Sequence, residues 1–493
     1  MPFRLPRAFV FVMAVTAAFA GASVHRAAAA PAPTPAEIDR DWSATIEDLV
    51  RRAEAGGHEA VVTAIRGWDL PAEEGRQFVL AIPADPRDEK VPDGVETPAA
   101  RGLWEELLAA RKRRAAATFA VARELADDGD ASPPRTGESI RLVYRALRDD
   151  PDNERAREAA GWVRRDGRWV WPEMARRLDK GEEFAAEFGW LPRGRLARYR
   201  AGERYDQGRW IKPGDTGTAP RRPRDLKTAA KLASDHWLVS YTGDIDAAAR
   251  LATELEQAHT AWVQAFGGFQ HEPAEWRQRM LGRGRTRPLD PFAVTLASDR
   301  DAYVAALEPL EPTIARTLGI YWTPTRTAWF FEGAGQETTT VRHEATHQLF
   351  AETRKTSPLA GERCGFWAIE AAACYLESLE PTTFGWTLGG REAGRAPAAR
   401  ERLLDDGFHV PLEGLCRLGR RALQADPRLP QIYSEISGLA DFFMNGERGR
   451  YRDAFVEYLV RIYTGTVDPD TLAKLCGTSY ASLDDAYRRH MAR

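Results

Sequence analysis

The stretch Thr338-Thr339-Thr340-Val341-Arg342-His343-Glu344-Ala345-Thr346-His347-Gln348-Leu349-Phe350 decides how this chain is read, because its middle is the pentapeptide His-Glu-Ala-Thr-His. In a helix, residues four apart share one face, so the imidazoles of His343 and His347 reach a single tetrahedral ion. Glu344 then stands beside that ion, where a carboxylate can take a proton from an activated water. The three threonines supply N-cap side chains and Val341, Leu349 and Phe350 supply apolar positions, so the pattern predicts a half-buried helix. The bland alternative is a surface helix on which two histidines flank a glutamate by chance. A chain with nine histidines in 493 residues rarely produces that spacing by chance.

Working outward, Gly365-Phe366-Trp367-Ala368-Ile369-Glu370-Ala371-Ala372-Ala373-Cys374-Tyr375-Leu376-Glu377 reads as an alanine-rich helix carrying two carboxylates one heptad apart. Glu370 follows His347 by 23 residues (370 − 347), room for a loop and a returning helix. Such a helix brings Glu370 against the first as a third ligand and leaves a fourth position for water. Ala371, Ala372 and Ala373 are small enough for the close approach this needs. Glu377 either hydrogen-bonds a ligating histidine from behind or lies on a solvated face.

The His-Glu-x-x-His motif followed by Trp367-x-x-Glu370 resembles the gluzincin zinc metallopeptidases, the thermolysin-like and aminopeptidase-like superfamily. More narrowly it resembles an exported bacterial family with a peptidase-MA-like core, catalogued as a domain of unknown function. The resemblance covers about the last 260 residues and continues through Tyr433-Ser434 and the segment 445–455. It implies one zinc ion on His343, His347 and Glu370, with Glu344 as general base. It also implies a helix pair folded over the site, which favours Tyr433 as donor to a developing oxyanion; His409 and Tyr375 are the alternatives. Two departures stand out: Ala371 replaces the glycine usual after the glutamate, and the spacing exceeds that of thermolysin. No Gly-Ala-Met-Glu-Asn-type segment is present, so action on free N-termini has no support.

A hydrophobic share of 43% and a charged share of 29% are those of an ordinary globular protein, and a net charge of −3 gives no case for nucleic acid or an anionic membrane as partner. Arg4 and Arg7, the apolar run 8–22 and the alanines 27–30 form an export signal, too short for a membrane span. This predicts a chain exported to the periplasm or beyond after cleavage, without stable membrane insertion. The four cysteines, Cys364, Cys374, Cys416 and Cys476, lack zinc-ribbon spacing, and either disulfides or free buried thiols fit an exported chain.

The overall expectation is an α+β chain: signal peptide 1–30, a helical region 31–160 with repeat-like features, a Trp-rich β-hairpin module and linker 161–222, and a gluzincin-like domain 223–493. The linker signal is the Gly/Pro/Thr-rich stretch 216–223. Hairpins are read at 161–172, around Asp166-Gly167, and at 205–213. Their tryptophans either grip sugars or peptides or pack a module short of core. The last domain reads as a small mixed sheet, zinc-binding helices and a helical C-terminal lobe. Its strand 327–331 is the candidate edge for pairing with a peptide backbone.

The function expected is an exported zinc-dependent metallopeptidase, an endopeptidase in type, acting on peptide or protein. The rivals are an envelope scaffold or binding protein on a weakly active or inactive gluzincin-like fold, and a zinc hydrolase of a non-peptide amide.

Overall fold

The computed structural model describes residues 33–492 apart from 69, 71–74, 87–89, 130, 207, 213–224, 285 and 287. The residues assigned to the export signal, 1–30, and the Gly/Pro/Thr-rich stretch 216–223 lie outside this set. Among the described residues no helix is long and apolar enough to cross a membrane.

Phe292–Ala297 is nearly all apolar, and it lies at the centre of a five-stranded sheet, parallel to Trp237–Tyr241 on one side and Thr327–Phe331 on the other. A strand flanked by parallel neighbours is buried on both faces, which explains the continuous apolar run. The outer strands, Ala230–Ala233 and Ile320–Trp322, pair antiparallel to their neighbours. This corrects one expectation: Thr327–Phe331 is bonded on both sides and is not an edge. The edge is Ile320–Trp322, a three-residue strand too short to stand out from the Thr-Pro-Thr turn that follows it.

The helix Thr338–Glu352 packs against this sheet and against the long helix Ile245–Ala265, which also lies on the sheet. Its threonines occupy the first turn, and the N-cap position falls to Glu337, which makes no side-chain cap bond. The returning helix Phe366–Glu377 starts at Gly365, whose φ of 73° is left-handed. A Cβ there would meet the Tyr458 hydroxyl at 2.8 Å, so both conformation and space require glycine. All twelve residues of this helix are buried, and Ala371, Ala372 and Ala373 are fully so. Helix Leu429–Gly449, interrupted at Gly446, Glu447 and Arg448, packs on its other side.

One hydrophobic core joins the two ends of the chain. Strand Gln77–Leu80 pairs antiparallel with Gly385–Leu388, and the Gln264 side chain bonds both Leu80 N and Leu80 O at 2.9 Å. Ile140, Val143 and Leu147 share a cluster with Trp262, Phe266 and Trp367, while the first helices keep a separate cluster around Trp42, Leu49 and Trp104, and smaller ones form around Tyr303 and Phe331 and around Phe188 and Tyr199. The described residues from Pro33 onward accordingly cluster as one compact unit. Both hairpins form as read, Val163–Arg165 with Arg168–Val170 and Arg204–Asp206 with Arg209–Ile211, and a third lies between them at Glu182–Ala185 with Gly189–Pro192. Their tryptophans pack: Trp169 and Trp190 are buried and donate to Asp152 and Asp235 at 2.9 and 2.8 Å.

A fragment of residues 225–493 loses the strand carrying Phe78, Val79 and Leu80. At roughly 1.5–3 kcal/mol per buried apolar side chain, it should be about 5 kcal/mol less stable than the chain from residue 33. Urea unfolding of both measures this; equal midpoints and slopes would contradict the shared core.

The four cysteines are free thiols. In the C-terminal lobe, His409 lies with Nδ1 2.6 Å from Glu435 and Nε2 3.3 Å from Asp484. Burial opposes its charge, but the two carboxylates outweigh burial and push its pKa up to about 9 from an ordinary 6.5. A raised folded-state value stabilises fully below pH 6.5, and that contribution is lost as the pH climbs through 9. Unfolding free energy should therefore fall by up to about 3 kcal/mol between these limits. In His409→Gln that slope should be absent; a wild-type slope in the variant would assign it elsewhere.

Candidate metal centre

The one-turn step on Thr338–Glu352 places His343 Nε2 and His347 Nε2 3.1 Å apart. The returning helix delivers Glu370, with Oε2 3.4 Å from His343 Nε2 and Oε1 3.8 Å from His347 Nε2. Ligands about 2.0–2.1 Å from a tetrahedral zinc are about 3.3–3.4 Å from one another. The three observed separations, two of them to different oxygens of Glu370, bracket that value, so the spacing of the donors suits such an ion.

Around this set the electrostatics are strongly coupled. Burial raises the carboxyl of Glu370, but the charge of His347 and the hydrogen bond and charge of His343 outweigh it and hold the pKa at about 2. Burial works against a charge on His343, yet Cys374, Glu370 and Glu377 together lift its pKa well above the ordinary range. His347 is lowered, first by burial. The centre thus pairs the ionised Glu370 with a protonated His343, and a metal held there releases that proton.

Glu377 lies behind His343, with Oε1 2.8 Å from Nδ1, and Arg395 fixes it through bonds of 2.7 and 3.0 Å. A carboxylate on Nδ1 turns Nε2 towards the other donors, so of the two readings of Glu377 the structure has the one behind histidine. Burial raises the Glu377 carboxyl, but His343 and Arg395 hold it low.

Glu344 is half-buried beside the set, and its Oε2 accepts the backbone N–H of Tyr321 at 2.7 Å. That bond ties the carboxylate to the free edge of the sheet. Tyr433 donates to Glu370 Oε2 at 3.2 Å, so its hydroxyl is within reach of the centre. Burial and the charge of Glu370 raise its pKa, which keeps it protonated and a donor. The two alternatives lie elsewhere: His409 is held by Glu435 and Asp484, and the Tyr375 hydroxyl bonds Asn445 Oδ1 at 3.1 Å.

Sequence reasoning missed Tyr321, Arg395 and Cys374. The first acts through its backbone, which no residue type announces. Arg395 sits in a glycine-rich loop whose path the sequence does not fix. Cys374 is legible in retrospect, four residues after Glu370 on the same helix face; it shares a second possible donor group with His343 and Glu377. No protein-family model matches this chain, and no curated protein matches it in sequence.

Proposed function

We propose that this chain is an exported zinc metallopeptidase of the gluzincin type, cutting within peptide or protein chains. The observation that carries the reading is the convergence of His343, His347 and Glu370 at 3.1–3.8 Å with Glu344 alongside. When bound, zinc supplies a Lewis acid for the scissile carbonyl and lowers the pKa of water to about 7. Glu344 takes the proton from the attacking water and passes it to the leaving amine. Tyr433, whose one O–H is given to Glu370 at 3.2 Å, turns that proton to the substrate oxygen as negative charge develops there. The edge strand Ile320–Trp322 borders the base, and an extended peptide laid along it pairs through outer backbone groups other than the Tyr321 N–H. Its N–H at Tyr321 already contacts Glu344, so substrate laid there passes the base.

The test is metal analysis of the purified chain together with digestion of an unbiased peptide library. Stoichiometric zinc with cleavage that a chelator abolishes supports the reading. Zinc without cleavage of any peptide favours a metal-stabilised binding protein or a hydrolase of another amide.

A further inference from the structure

The segment 389–395 joins strand Gly385–Leu388 to helix Ala396–Leu404 and delivers the Arg395 guanidinium that holds Glu377. Three remote parts of the chain meet on it. Strand Gln77–Leu80 pairs with the strand that leads into it, Gln77 lying opposite Leu388. Asp441, on helix Leu429–Gly449, accepts the Gly390 N–H on Oδ1 at 2.8 Å. His490, on the last helix Tyr480–Ala492, lies with Nε2 2.8 Å from Asp441 Oδ2. We propose that Asp441 is a positioning residue for the metal centre: it fixes the path of 389–395, and so keeps Arg395 on Glu377 and Glu377 on His343. This rests on the zinc reading of His343, His347 and Glu370.

Asp441 is a stiff anchor. It is 3% exposed, and its Oδ1 also accepts an N–H of Asn445 Nδ2 at 2.8 Å. A buried carboxylate with three partners holds one orientation, because giving up any of them leaves charge unsatisfied away from water. The backbone is shaped to reach it. Gly389 and Gly390 have φ of 75° and 106°, and a Cβ on Gly389 would strike Asn445 Nδ2 and lie 2.5 Å from Asp441 Oδ1. Only glycine allows an approach that close.

The anchor's position is passed along the segment. The Gly389 N–H donates to Ser378 Oγ at 2.8 Å, and Ser378 is the residue after Glu377. Beyond Gly390, the Ala393 N–H donates to Gly390 O at 3.1 Å and the Ala396 N–H to Ala393 O at 3.2 Å, which makes two linked turns. Gly394, at φ 55°, passes so near Ser378 that a Cβ there would lie 3.1 Å from the serine Cβ. Linked turns leave little slack between Gly390 and Arg395, so a shift at Asp441 moves the guanidinium at the far end. Glu377 is only 6% exposed. A buried carboxylate released from its guanidinium is free to turn, and His343 Nδ1 then loses the acceptor that aims Nε2 at the ion.

Cobalt(II) titration of the full chain, followed by ligand-field absorption, measures metal affinity, and thermal unfolding of the metal-free protein measures the fold. Asp441→Ala and Arg395→Ala should each bind cobalt about tenfold or more weakly than wild type, the usual loss when a group behind a ligating histidine is removed. The double variant should bind no more weakly than Arg395→Ala, because both residues act along one path. A lowered unfolding midpoint in Asp441→Ala with unchanged cobalt affinity is the result of a purely structural role, and it overturns the proposal. Losses that multiply in the double variant overturn it too. Should Asp441→Ala fail to fold, His490→Ala decides: weaker cobalt binding upholds the anchor, and wild-type binding overturns it. A wild type that binds no cobalt defeats the zinc reading and this proposal with it, whereas equal binding by wild type and Asp441→Ala defeats this proposal alone.

Discussion

Glu344→Gln is expected to keep its metal and its fold while peptide hydrolysis falls by about 10²-fold or more. Glutamine retains a carbonyl oxygen where Glu344 Oε2 now accepts Tyr321 N–H, so the tie between helix and edge strand survives. It lacks a basic oxygen, so the proton of the attacking water has nowhere to go. The three proposed ligands are untouched, and wild-type metal content in the variant separates loss of base from loss of ion. The measurement is kcat/KM on a cleaved library peptide, with metal content and thermal midpoint recorded on the same sample. If hydrolysis persists at the wild-type rate, Glu344 is not the base. If wild type and variant are both inert towards every peptide while both hold the metal, the peptidase reading gives way to a binding protein.

Much of the centre is legible in the sequence because its determinants are local. His343, Glu344 and His347 depend only on helical periodicity, and Thr338–Glu352 is helical as read. Glu370 needed one further inference, that a buried alanine-rich helix returns, and the helix Phe366–Glu377 does so. What stayed hidden depends on contacts between distant residues. The pairing of Gln77–Leu80 with Gly385–Leu388 joins residues about three hundred positions apart, and a four-residue strand carries no periodic signal that names its partner. The same holds for Ile320–Trp322, whose edge position emerges only once Thr327–Phe331 is seen paired on both sides. The division at the stretch 216–223 is read from composition alone, and composition says nothing of the core that 78–80 and 140–147 share with the last third of the chain.

Glu370→Ala should cost the chain one equivalent of metal and with it essentially all hydrolysis. Glu370 bridges the two imidazoles, 3.4 Å from one and 3.8 Å from the other, and without it only two nitrogens face the ion. Two imidazoles hold a tetrahedral zinc weakly, and whatever stability the bound ion lends the native state disappears with it. Without metal the variant need not be unstable, because the substitution also removes a buried charge. The informative comparison is therefore the shift of the melting midpoint on adding zinc, large in wild type and much reduced in Glu370→Ala. Tyr433 also loses the acceptor of its hydroxyl, so Tyr433→Phe is the control for that bond. Should Glu370→Ala bind metal at this centre as tightly as wild type, Glu370 is not the third ligand. His343 would then be using its other neighbours, Cys374 and Glu377, whose donor atoms lie within 4.8 Å of it and of each other. Arg395 already occupies both oxygens of Glu377, so ligation there would have to break a two-point ion pair. A thiolate in that set would give cobalt(II) an intense sulfur-to-metal absorption that a His-His-Glu centre lacks, and Cys374→Ser would remove it.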